Sequence, residues 1–215
     1  MNRRDLLTSL GAAGTAGIAG CSGTLDSVLS DGSYPEGKQR RVTLTGQDTV
    51  PDEHNLSLNI EVRRALISHA QTAHLRVRAT NEGQTRGISF TEDARCALFN
   101  RTGGLSDDPQ GLVLHSPSVA EGIERPENQW VRDRPSDKPR TVETYGCGAE
   151  TIESGVTFTN EYHVWDDYRT EQYLEPGTYR WEEQIRLTDP PQPNSPDVRA
   201  RFIWGFSLAV ERIEP

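Results

Sequence analysis

The chain has 215 residues, a formal net charge of -9 and a hydrophobic content of 33%. A chain this acidic repels polyanions, so nucleic acid is excluded as a partner. Its length suits one domain preceded by targeting or linking sequence.

The first twenty residues read as an export signal. Arg3 and Arg4 precede an uncharged run from Leu6 to Gly20 made of Leu, Ala, Gly, Ile, Ser and Thr, the layout of a cleavable signal. A membrane-spanning helix wants about 20 mostly apolar residues. This run is shorter and holds Gly11, Gly14, Gly17 and Gly20, each costing about 1 kcal/mol of helix propensity.

The pair Arg3-Arg4, followed after one residue by Leu6-Leu7, resembles the twin-arginine signal, whose pathway exports folded proteins. Ile18-Ala19-Gly20-Cys21 resembles the lipobox of lipoproteins, which implies cleavage after Gly20 and a lipid on the Cys21 thiol. Each lipid methylene buried in a bilayer is worth about 0.8 kcal/mol, so a two-chain lipid anchors a protein durably without a transmembrane helix. The expected location is the extracytoplasmic face of the cell membrane.

With Cys21 committed to lipid, Cys96 and Cys147 remain as a pair in an oxidising compartment, where disulfides persist. They are expected to be bonded, and closing a loop of that length is worth about 4 kcal/mol in the chain-entropy account. Two separate buried thiols are the alternative. Lys38 and Lys138 are the only lysines. An acid-rich, lysine-poor, weakly apolar chain resembles proteins of extreme halophiles, in which salt screens self-repulsion.

Residues 21–40, from Cys21 through "SGTLDSVLSDGSYPEGKQR", are rich in Ser, Gly and Asp and read as the lipidated end of a flexible tether. Residues 41–215 read as one domain of short strands. Leu56, Leu58, Ile60 and Val62 alternate with polar residues, as do Leu75, Val77 and Ala79, the period of half-buried strands. Further strands are expected near 41–46, 86–90, 95–100, 111–115, 140–146, 155–165, 177–187 and 200–212, with turns in "TNEGQTRG", "NRTGGLSDDPQG" and "LEPGTY". About ten short strands predict an antiparallel sandwich. Residues 116–139 are expected to form a long inserted loop with a helical turn near Val119–Ile123, and loops of that length are often functional.

In this order "RATNEGQTRGISF", "CALFNRTGG", "GLVLHS", "IESGVTFTNEYHVWDD" and "LEPGTYRWEEQIRL" resemble the intracellular proteinase-inhibitor domain family over about residues 56–190. The resemblance implies an all-β, immunoglobulin-like sandwich, with protease inhibition as the family's activity. The export signal, the paired cysteines and the 116–139 insertion depart from the family pattern, so the fold is the firmer implication.

Few residues point to chemistry. In His163-Val164-Trp165-Asp166-Asp167, His163 and Trp165 share one strand face and Asp166 points oppositely; the expectation is a solvated strand end and no metal. His69 and His74 flank "SHAQTAH" and are expected to be exposed in a turn. Glu182-Glu183 and Asp107-Asp108 are adjacent and so project to opposite faces of an extended chain, unlike a glycosidase pair across a cleft. With no Gly-x-Ser-x-Gly, His-Glu-x-x-His or phosphate loop in the sequence, no catalytic residue and no cofactor are assigned. Trp181 and Trp204 are expected in the core. Trp130, among charged residues of the inserted loop, is the candidate anchor for an envelope protein or glycan, unless it folds back on the sheet edge. Asn55 and Asn100 head Asn-x-Ser/Thr triplets and are N-glycan acceptors where the cell makes them. The functional expectation is a lipid-anchored, non-enzymatic binding or envelope-interaction module; the alternative is a protease inhibitor or tethered hydrolase.

Overall fold

In the computed structural model, residues 38–92, 95–96, 102–117, 125–132, 150–189 and 198–213 are described here. The chain divides into two units, Met1–Gly32 and Ser33–Pro215, and all described residues belong to the second.

Among the described residues thirteen strands follow one another: β1 (Arg40–Gln47), β2 (Leu56–Arg64), β3 (Leu66–Ile67), β4 (His74–Asn81), β5 (Arg86–Glu92), β6 (Arg95–Cys96), β7 (Thr102–Leu105), β8 (Leu112–His115), β9 (Val131–Arg132), β10 (Glu150–Ile152), β11 (Thr157–Asp167), β12 (Gly177–Thr188) and β13 (Val198–Arg212). Seven form one sheet in the order β10-β5-β12-β13-β1-β3 with β6 beside β5; six form the other in the order β2-β4-β11-β8-β7 with β9 beside β11. Every pairing is antiparallel except β9 on β11. The fold is an all-β sandwich.

Alternation builds the core. Leu56, Leu58 and Ile60 of β2, Leu75, Val77 and Ala79 of β4, and Tyr162 and Val164 of β11 are buried on one sheet. Tyr179, Trp181, Ile185 and Leu187 of β12, with Trp204, Phe206, Leu208 and Val210 of β13, are buried on the other. Burying such side chains stabilises the fold by about 1.5–3 kcal/mol each. Trp181 lies opposite Phe206 in the ladder and stacks on it at 5.2 Å between ring centroids. Beside them Gly205 is obligatory, since a Cβ there would stand 2.4 Å from the Trp181 carbonyl oxygen.

Two polar ties hold the connections. Asn81, fully buried, donates through Nδ2 to the carbonyls of Gln84, Ile152 and Glu153, and its Oδ1 accepts from the Gly83 N–H. This is the Asn ahead of the polar turn in "RATNEGQTRG". Arg40, 5% exposed, donates from Nε to the Leu174 carbonyl and from Nη2 to that of Tyr173. It fastens the start of β1 to the β11–β12 connection.

Two expectations change. Thr102–Leu105, expected within a turn, pairs with β8. Residues 116–139 are not loop throughout, because Val131 and Arg132 pair with Asp166 and Asp167. The expected turn at Val119–Ile123 and strand at 140–146 lie outside the described residues.

Candidate functional site

The site grows from the alternation of β11. Tyr162 and Val164 enter the core, so Glu161, His163, Trp165 and Asp167 face outward from the six-stranded sheet. Register then does what spacing in the sequence cannot. His163 lies opposite His74 on β4 and opposite His115 on β8, so three imidazoles form a row across three strands.

At one end His74 Nε2 is 3.1 Å from Glu161 Oε2, and Arg76 donates to Glu161 Oε1 at 2.7 and 3.0 Å. The hydrogen bond from Arg76 holds the Glu161 carboxyl below its ordinary pKa, against the effect of burial. The His74 ring meets His163 edge-on at 5.5 Å. At the other end His115 is 5% exposed, meets Trp165 edge-on at 5.5 Å, and has a hydrogen-bond partner on neither ring nitrogen. Burial, then the charges of Arg132 and His163, push its pKa down to about 4. The buried imidazole is therefore neutral at pH 7.

Trp130 closes this face. Its Nε1–H donates to the Ser68 carbonyl at 2.7 Å, and its ring meets Trp165 edge-on at 5.3 Å. The Arg125 guanidinium lies 4.1 Å from its ring centroid, a cation–π contact. Its backbone N–H donates to the Tyr173 hydroxyl, and its carbonyl accepts from the Asp166 N–H. Of the two readings of Trp130, the structure has the indole folded back: it is half-buried on the sheet. What it offers outward is the Arg125-capped surface.

The strand end is not solvated either, since Asp166 and Asp167 are 3% and 2% exposed. Both are drawn in because a tight connection follows them. Asp166 points to the inner side and accepts from the Thr170 hydroxyl at 3.1 Å. Burial pushes its pKa up to about 7, although the Leu174 N–H and the Thr170 hydroxyl favour the carboxylate. Asp167 faces outward. Burial raises its pKa, but hydrogen bonds from Arg169 and the charges of Arg132 and Arg169 outweigh this and hold it below its ordinary value. Arg132 and Arg169 reach it at 3.0 and 2.7 Å.

The remaining candidates are dispersed. Trp181 and Trp204 are in the core, at 1% and 0% exposure. Glu182 and Glu183 project oppositely, Glu182 outward to Arg180 and Glu183 buried. His69 is exposed as expected, whereas His74 is half-buried in a strand and paired with Glu161. Asn55 is exposed, with φ of 44° at the end of the 3-10 turn Asp52–His54, a conformation Asn tolerates. Cys96 lies in β6; its expected partner Cys147, and Arg3, Arg4, Cys21 and Asn100, lie outside the described residues. His115, which the sequence reading passed over, stands in an apolar strand, and only pairing with β11 gives it neighbours.

Among the described residues no three or more His, Cys, Asp or Glu side chains converge on a point where a metal could sit. The row runs from the half-buried His74 and His163 to the buried His115, beside the buried Trp165 and the half-buried Trp130, and is edged by Arg76, Arg125 and Arg132. Fold and face together define an all-β sandwich with a polar, aromatic-backed surface on one sheet. Set against models of protein families, curated proteins and solved structures, the chain matches none.

Proposed function

We propose that the chain is a membrane-anchored extracytoplasmic lipoprotein whose immunoglobulin-like sandwich acts as a non-enzymatic binding or envelope-interaction module. The observation that carries this reading is the order at the start of the sequence: Arg3-Arg4, an uncharged run too short and glycine-rich to span, then Ile18-Ala19-Gly20-Cys21. A lipid on Cys21 supplies membrane attachment. Among the described residues no helix is long and apolar enough to cross a membrane, so attachment through the lipid leaves the sandwich free to meet an envelope protein or glycan. The surface around Trp130, Arg125 and the histidine row is the contact region.

The test is fractionation of cells expressing the full chain or its Cys21→Ser variant. The reading expects the first in the membrane fraction and the second released from it. Identical fractionation of the two would overturn it. Saturable inhibition of a protease by the purified full chain would replace the binding module with a tethered inhibitor.

A further inference from the structure

At one end of the sandwich the bend before β2, the β4–β5 turn and the ends of β12 and β13 surround a cavity of about 590 Å³, a size typical of small-molecule sites. Arg86 and Arg199 line it, with His54, Asn55, Gln84 and Thr188. Arg86 donates to the carbonyls of His54 and Asn55, while its Nε is buried without a hydrogen-bond partner. It has no carboxylate partner among the described residues. Asp189 is occupied by Arg199, and Glu53 stands exposed at the rim. Burial holds the Arg86 guanidinium below its ordinary pKa.

A second feature points the same way. Thr188, 4% exposed, lines the cavity with a hydroxyl that has no hydrogen-bond partner. Buried polar groups are nearly always satisfied, so an orphan on a cavity wall marks a place for a ligand atom.

We propose that this cavity binds a small carboxylate that also bears hydroxyls, an acidic sugar of the uronate type, with Arg86 meeting the carboxylate and Thr188 a hydroxyl. A guanidinium is the group best shaped for a carboxylate, and the polar walls suit hydroxyls better than an apolar ligand. The inference rests on the chain being a binding module but not on its membrane anchor.

The test titrates the purified full chain with D-glucuronate, D-glucose and acetate, following heat or amide shifts. Saturable glucuronate binding, with glucose and acetate each at least tenfold weaker, is expected. Arg86→Gln should weaken glucuronate at least tenfold. Because that change also removes two carbonyl contacts, Thr188→Val is the second variant: its thermal midpoint should hold or rise as the orphan hydroxyl is removed, while glucuronate binds about fivefold more weakly. No glucuronate binding, equal binding of all three probes, or Thr188→Val binding glucuronate like the parent would overturn the proposal. The Cys21→Ser fractionation is unaffected by any of these results, so failure of the cavity and failure of the anchor are told apart.

Discussion

Two buried titratable residues of the six-stranded sheet set opposing pH dependences. Asp166 has its pKa raised from 3.8 to about 7, so between those values the folded state holds a proton that the unfolded state has lost. Its contribution therefore falls as pH rises through that window. His115 is lowered from 6.5 to about 4, so between those values the unfolded state holds the extra proton, and its contribution is lost as pH falls. The two slopes offset each other in the wild type. Asp166→Asn is expected to leave a stability that rises with pH between about 4 and 6.5, and His115→Phe one that falls over the same range. Each slope is on the order of 1 kcal/mol per pH unit, readable from urea midpoints at several pH values; parallel profiles for the two variants would contradict the assignment.

Trp130 is the residue for which the sequence left two roles open, an exposed anchor or a cap folded onto the sheet edge. Its charged neighbours gave no sign that the Ser68 carbonyl and the Trp165 edge wait for it, because both lie far away along the chain. Trp130→Ala is expected to destabilise the protein by about 2–3 kcal/mol, somewhat less than a fully buried tryptophan. Trp130→Phe, which keeps a ring but loses the N–H, should cost about 1 kcal/mol. A Trp130→Ala protein with an unchanged urea midpoint would show that the indole is not held in this way.

At the scale of elements, alternation made most strands legible, because a strand with one face in the core declares itself every second residue. Leu56–Ile60, Leu75–Ala79 and the long runs on β11, β12 and β13 were readable for that reason. Short strands were not: Leu66–Ile67 and Val131–Arg132 have too few residues for a period, and Thr102–Leu105 carries the glycines of a turn. Register was hidden throughout, and with it the histidine row. The Asn81 tie belongs to this scale, since one side chain joins the β4–β5 turn to the connection after β10. Asn81→Ala leaves carbonyls of Gln84, Ile152 and Glu153 without their donor, so a loss of about 2–4 kcal/mol is expected, together with faster amide exchange at residues 83–87 and 152–156. Gly205→Ala drives a methyl onto the Trp181 carbonyl, and overpacking of about 1–3 kcal/mol or more should appear in the thermal midpoint.

Across the whole molecule, the fold class followed from strand number and alternation, while the site followed from neither. Aspartates that look solvated in sequence are buried because a tight connection brings hydroxyl and guanidinium donors to them. The signal, the Cys21 lipid and the Cys96–Cys147 bond rest on sequence alone, and they make one joint prediction about the covalent state of the native protein. Intact mass of the protein extracted from its own membranes tests it most directly. The expected mass is that of a chain starting at Cys21, increased by a lipid and decreased by the two hydrogens of a Cys96–Cys147 disulfide. An unmodified chain of 215 residues, with Cys21 as a free thiol, would contradict the account.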